Sequence, residues 1–562
     1  MRRFAVFIAM AALAGPWSLT AGTLPGDPCA EPNARCEDEE LIGGTTESSF
    51  SEYFGVAMDL TGDQALIGAL SRSEPTLGYA GGVYDLRLIS GSWTQVDVLL
   101  PDDIRANDNF GGAVSRSGDT AVIGAPGRGT WRYGTAFSYR YAAGAWSLED
   151  EFAAPACPLD VPRDQCPPGS EDPRDVCPRR RDLQKRSELG SAVAISGDWA
   201  LVTAPYEDLC FLTSDDRHCI DEDQGDIPCR IVDRKTRDWV GTDAGAAYFY
   251  RRNATSGLWE DDPQRVEPTD LELILRVNPT ETANVRKDDF TDLAWARRDG
   301  MIDIEGDLAV IATDTNQVNA VWVYQFNATT QQWEELAESP LRPPSAGNNV
   351  GFGTSVSIGG GWLAIGADEE DLAFDGGPNV TDAGAVYLYR WDGSAWIDES
   401  AVSPVLLANQ SESDRLGRDV EITADTLLAG AMNHLATFRT GGGGSEIMTP
   451  GPGAVYVFDL DPSGPSVTER SKLVASNGEQ LDGLGGSLAY EDGTAFVAAA
   501  QRAFYIDDDG VPVEPFTGSV YTYDLPPPAP GAAPVPEPAR GLLALAALAS
   551  LALLRSRLGR AR

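Results

Sequence analysis

Residues 352–407 read FGTSVSIGGGWLAIGADEEDLAFDGGPNVTDAGAVYLYRWDGSAWIDESAVSPVLL. Four runs rich in β-branched and aromatic residues stand out: TSVSI, WLAIGA, GAVYLYRW and SAWIDESAVSPVLL. Turn-forming Gly, Asp and Asn separate them, which is the pattern of consecutive antiparallel strands. A unit of four short strands cannot bury both of its faces alone, so it needs copies of itself to stack against.

The copies run the length of the chain. The Phe-Gly slot recurs at Phe54-Gly55, Phe110-Gly111, Leu189-Gly190, Arg298-Asp299, Phe352-Gly353, Leu416-Gly417 and Leu484-Gly485. Eight residues on comes a tight-turn pair, such as Gly62-Asp63, Gly118-Asp119 and Gly197-Asp198. Fourteen residues on comes a pair of small residues: Gly68-Ala69, Gly124-Ala125, Thr203-Ala204, Ala312-Thr313, Gly366-Ala367, Gly430-Ala431 and Ala498-Ala499. A third strand follows each time, from GVYDL at Gly82 to GSVYTY at Gly518.

These words resemble the FG-GAP repeat of the integrin α-chain head. Phe110-Gly111 with Gly124-Ala125-Pro126 is the fullest copy, and Arg298-Asp299 the weakest. The resemblance spans about residues 38–524 and implies an all-β, seven-bladed propeller of four-stranded antiparallel blades. The family's calcium cage is an Asp-rich loop between the first two strands of a blade. Here that loop is only a turn such as Thr61–Gln64 or Ser117–Thr120. Calcium needs about six to eight oxygen ligands, so the family's calcium sites do not carry over.

Ring closure is readable too. The last repeat stops after GSVYTYDL without a fourth strand of its own. Leu41-Ile42 stands before the first slot as Leu99-Leu100, Leu406-Leu407 and Leu473-Val474 stand before later ones. Residues Glu39–Gly43 are therefore expected to supply the missing strand and join the two ends of residues 38–525 in one blade. That removes two exposed sheet edges.

The flanks have a different character. Residues 1–22 begin MRR and continue with the apolar FAVFIAMAALAG, which is the pattern of a secretory signal. Residues 23–37 form a short cysteine-containing lead-in. From 526 a Pro/Ala-rich linker leads to Val535 and Pro536-Glu537-Pro538, and residues 539–562 hold an apolar run and an arginine-rich end. The run Gly541–Leu554 is short for a permanent span, which needs about twenty residues. This tail resembles the PEP-CTERM sorting signal of Gram-negative bacteria. The resemblance implies recognition of Pro536, Glu537 and Pro538 by an exosortase-type protease, with transient membrane contact. An ordinary membrane anchor is the alternative. The expected location is the envelope, surface or extracellular matrix.

Composition excludes one partner class. The formal net charge is −42, with 85 acidic against 43 basic side chains, and both ends are basic, so the body is more acidic still. Such a surface repels phosphate backbones, and nucleic acid is not expected. In an exported chain, Cys29, Cys36, Cys157, Cys166, Cys177, Cys210, Cys219 and Cys229 read as disulfide cysteines. None forms the closely spaced pair usual at zinc.

Alternating strand direction places the connections. Turns between strands one and two, and three and four, fall at one end of the propeller. Connections two-to-three and four-to-one fall at the other and vary widely in length. Long loops on a rigid scaffold are where recognition usually sits. The long four-to-one inserts are about residues 153–187 and 260–296, and the longest two-to-three loop, about 206–243, belongs to the third repeat, as does the first of those inserts. The two third-repeat loops hold six of the cysteines and a basic island of Arg179, Arg180, Arg181, Lys185, Arg186, Arg230, Arg234, Lys235 and Arg237. The island reads either as charge balance for nearby acids or as a site for an anionic polysaccharide or a protein.

Catalytic signals are absent. The two histidines, His218 and His434, stand beside no nucleophile motif, and no G-x-S-x-G, P-loop or H-E-x-x-H occurs. Asp368, Asp371 and Asp375, and Asp507 with Asp509, are weak candidates for calcium, and turn formation explains them better. No other cofactor is expected. The chain reads as an exported binding protein without catalysis. The alternative is a propeller glycosidase or lyase with carboxylates at the channel mouth.

Overall fold

The computed structural model describes residues 29, 33–42, 53–73, 78–129, 132–152, 187–207, 219–221, 225–227, 231–232, 239–240, 245–253, 255–260, 262–266, 300–313, 319–343, 350–371, 380–399, 405, 414–434, 437–440, 446–449, 451–461, 466–477, 483–499 and 518–526. It is an all-β propeller of seven antiparallel blades. The first blade runs outward through Phe54–Thr61, Gln64–Ala69, Val83–Ile89 and Ser92–Leu99. The next five begin at Val114–Ser117, Val193–Ser196, Ile302–Glu305, Phe352–Gly359 and Leu416–Ile422, and the seventh at Ser487–Glu491. Each innermost strand packs on that of the next blade, and the seventh returns to the first.

Closure is as the sequence suggests. Glu39–Ile42 pairs antiparallel with Ser519–Asp524 and becomes the outer strand of the seventh blade. The residues just before it were not foreseen as a strand. Ala34–Cys36 pairs in parallel with Lys472–Val474 and adds a fifth strand to the sixth blade, and Cys36 is bridged to Cys29. One short segment thus ties two neighbouring blades at the rim. In the fifth repeat the described part of SAWIDESAVSPVLL comprises the strand Trp396–Asp398 and Val405, which joins the sheet through paired backbone hydrogen bonds with Val386.

The two repeat words touch. The carbonyls of the slot glycines Gly111, Gly190, Gly417 and Gly485 lie on the small-residue pair of the preceding blade. A Cβ on Gly124 would sit 2.0 Å from the Gly190 oxygen, and one on Gly430 would sit 2.0 Å from the Gly485 oxygen. Beside them the slot residues Phe110, Leu189, Leu416 and Leu484 donate their backbone N–H to Ala80, Tyr133, Ala383 and Pro452 of the preceding blade. The repeat therefore spells a blade-to-blade contact in which backbone meets backbone.

Tryptophans form a second contact near the rim. Trp93, Trp146, Trp259, Trp333 and Trp396 each stand early in an outer strand or in the turn before it. Trp333 stacks on Phe249 of the preceding blade at 4.5 Å, Trp259 meets Phe152 edge-on at 5.0 Å, and Trp93 meets Phe496 at 4.8 Å. Three of their backbone N–H groups donate to the preceding blade: Trp93 to Glu39, Trp333 to Gln264 and Trp396 to Glu338.

Candidate functional site

Two places can do chemistry or binding, the end that carries the long connections and the axis. At the first, each blade turns from its second strand into the connection with a polar residue eighteen positions after the slot. Those residues are Arg72, Arg128, Glu207, Glu370 and His434, and each accepts at its carbonyl the N–H of the glycine opening the third strand: Gly81, Gly134, Gly245, Gly384 and Gly453. Four of the side chains lie against third-strand aromatics. Arg72 faces Tyr84, Arg128 faces Phe137, Glu207 accepts from the Tyr248 hydroxyl at 2.6 Å, and the His434 Nε2 lies 3.4 Å from the Tyr456 hydroxyl.

His434 is thus one strut of a set. Its Nδ1 lies 3.3 Å from Asp414, just as Arg128 lies 3.2 Å from Asp108 four blades earlier in the chain. The position explains the histidine without a reaction.

Asp368 is buried and engaged. Thr354 donates its hydroxyl to it at 2.7 Å, and Arg418 and Arg415 lie at 3.4 and 3.6 Å. Asp371 accepts the backbone N–H of Asp382 at 2.9 Å. Burial, offset by Arg415, raises the Asp382 carboxyl above its ordinary range. Among the described residues no group of three or more His, Cys, Asp or Glu is placed to hold a metal ion.

Most of the other candidates lie outside the described residues: Arg179, Arg180, Arg181, Lys185, Arg186, Arg230, Arg234, Lys235, Arg237, Cys157, Cys166, Cys177, Cys210, Cys229, Asp375, Asp507, Asp509, Pro536, Glu537 and Pro538, together with His218. Cys219 opens the short hairpin Cys219–Asp221 with Gly225–Ile227 in the third blade's long connection.

The axis holds what the sequence reading did not single out. The innermost strands present unpaired edges, and side chains from the preceding blade fill them. Asp59 accepts the N–H of Arg116, Ser115 that of Ile195, Asp303 that of Ile358 and Ser357 that of Ile422. All four acceptors stand five residues after their slots. Two residues further on, Ser117, Ser196 and Glu305 accept from Gly197, Gly306 and Gly360, and Glu491 from Gly62. Asp419 takes the N–H of Leu488 at 2.7 Å.

Four carboxylates on three blades are close enough to act on one another across the axis: Asp59, Asp303, Asp419 and Glu421. Burial pushes Asp59 up to about 7 against the opposing pull of its Arg116 hydrogen bond and charge. Burial pushes Asp303 up to about 6 and holds Glu421 well above the carboxylate range. The available signal was an acid at one repeat position in three repeats, with Ser or Ala there in the other four.

Residues 93–138 match the family model of the FG-GAP repeat, a stretch that includes Phe110-Gly111 and Gly124-Ala125. Over that stretch the chain is similar to the FG-GAP repeat. None of the curated proteins matches the chain. Among solved structures, a candidate 6-phosphogluconolactonase from Bacteroides fragilis is similar at 10% identity, over 78% of this chain and 87% of that one, with a TM-score of 0.38. The WD40 repeats of RRP9 are similar at 8% identity, over 86% of this chain and 99% of that one, with a TM-score of 0.40. The FG-GAP propeller with its unequal connections is consistent with a surface or adhesion-like protein.

Proposed function

We propose that this is an exported, non-catalytic protein of the cell surface or extracellular matrix that binds a protein or an anionic polysaccharide. The contact surface is the end with the long two-to-three and four-to-one connections. One observation carries the reading. In the first six blades chain order runs from the axis outward, and the seventh keeps that direction for its own three strands. The tight turns therefore gather at one end and the connections of very different length at the other. At the second end the slot residues bond to the roots of the preceding blade's connections, as Phe110 does to Ala80 and Leu416 to Ala383, and beyond those roots the connections differ in length. The basic island of the third blade would supply the attraction for an anionic partner. The leader of residues 1–22 would direct export, and the tail after residue 525 sorting and processing in a Gram-negative envelope.

Binding of the exported protein to a glycan array and to envelope extracts tests this. Retention of a defined acidic polymer or one surface protein, lost when the third-blade arginines are replaced by glutamine, is the expected result. No retention of any polymer or protein would remove the reading. Mass spectrometry of the exported protein should show loss of residues after the Val535–Pro538 region, and an intact tail would reject sorting.

The axial carboxylates favour one second reading, a polysaccharide-degrading enzyme. Side chains that titrate near neutrality in a cleft are candidates for acid–base work. Release of reducing or unsaturated sugar ends from an acidic polysaccharide, abolished by Asp303→Asn, would establish it.

A further inference from the structure

The chain leaves the propeller at the end of the tight turns. In every blade a residue at the close of the third strand donates its N–H to the turn between the first two strands, as Leu88 does to Asp63, Tyr141 to Asp119, Leu460 to Asp425 and Leu525 to Gly493. In the first six blades the chain then turns back into an outer strand of its own. In the seventh that place is filled by Glu39–Ile42, so the chain after Leu525 has no strand to return into. It is released opposite the long connections.

The exit is fixed from three sides. Asp524 donates its N–H to Asp38 of the closing segment at 2.7 Å. Leu525 bonds the Gly493 carbonyl at 2.6 Å. The Pro526 carbonyl accepts from Arg470 of the sixth blade at 3.2 Å. Arg470 is held in turn by Asp459 and by the Thr426 hydroxyl.

We propose that the tail holds the propeller with its tight-turn end toward the membrane and its connection end outward, so that the surface that binds the partner is presented away from lipid. This rests on the reading of the residues after 525 as a membrane-directed sorting segment. Residues 527–540 separate Pro526 from the apolar run that opens at Gly541. Extended, fourteen such residues reach about 40 Å. The opposite orientation would send them back along the body, where an eight-residue strand such as Phe54–Thr61 spans about 26 Å. Most of the reach would be consumed. Prolines at 526, 527 and 528 also oppose a sharp reversal through their ring-locked φ. Outward presentation needs no reversal.

The full chain is reconstituted with vesicles of phosphatidylethanolamine and phosphatidylglycerol, and separately with neutral phosphatidylcholine vesicles, and recovered by flotation. A fluorophore is attached through p-azidophenylalanine placed at Asp119 or Asp307 in the tight turns, or at Tyr79 or Ala106 in the connections, all of which are exposed. Energy transfer to acceptor-labelled headgroups should be about twofold or more stronger from the turn sites in both lipids, because the two ends lie about 26 Å apart. Equal transfer, or stronger transfer from Tyr79 and Ala106, in floated material would overturn the orientation and leave the tail reading standing. A reversal confined to the anionic vesicles would overturn it too, because the basic island would then bind lipid. Failure to float with either lipid would overturn the tail reading, and the orientation with it.

Discussion

Adding one methyl group at Gly124 tests the contact on which the propeller is built. The new Cβ would meet the Gly190 oxygen at 2.0 Å, where ordinary contact begins near 3.4 Å. One blade must then move about 1.4 Å relative to the next, or the slot strand must bend. Overpacking usually costs about 1–3 kcal/mol. Here the obstructing atom is backbone in a closed ring and cannot rotate aside, so about 4 kcal/mol is expected. Gly118→Ala is the matched control. Its φ of +58° lies in the left-handed region and nothing lies within 4 Å, so it should cost about 1 kcal/mol from backbone conformation alone. Urea unfolding of the two variants and the parent compares them on one scale. Thr203→Gly provides the reverse experiment. Thr203 holds the position of Gly124 in the third blade and bonds through its hydroxyl to the Ala192 backbone. Trimming it should cost about 1 kcal/mol of hydrogen bonding and gain nothing. If Gly124→Ala costs no more than Gly118→Ala, the idea that the two repeat words exist for each other is wrong.

Trp333→Ala, which empties the gap against Phe249 and Trp199, should destabilise by about 3–5 kcal/mol in the same titration. Replacing Cys29 and Cys36 together by serine opens a bridge with a sequence separation of 7 and should cost about 2.5 kcal/mol, with loss of protection at Ala34–Cys36 in amide exchange. Glu39→Ala removes the acceptor for the Trp93 N–H at the closing blade and should cost about 1 kcal/mol. His434→Gln should lower stability by about 1 kcal/mol and leave partner binding unchanged, because the residue braces Tyr456 and Asp414; a selective loss of binding would make it part of the contact surface.

The parts of the fold that could be read from the residues are those where a side chain is forbidden. Glycine at Gly68, Gly124, Gly366 and Gly430 is dictated by a neighbouring carbonyl, so the same letter returns at the same spacing. The outer tryptophans are as regular in space, yet their distance from the slot changes with every two-to-three connection. Counted from the third strand they nearly align, as Trp93, Trp146, Trp333 and Trp396 follow Val83, Thr135, Val321 and Ala385 by ten to twelve residues. The axial acids were hidden for another reason. A latch needs only an acceptor, so Ser115 and Ser357 serve where Asp59 and Asp303 do elsewhere, and the carboxylates look like variation. Ala34–Cys36 has no alternating pattern to give it away, being three residues at a rim.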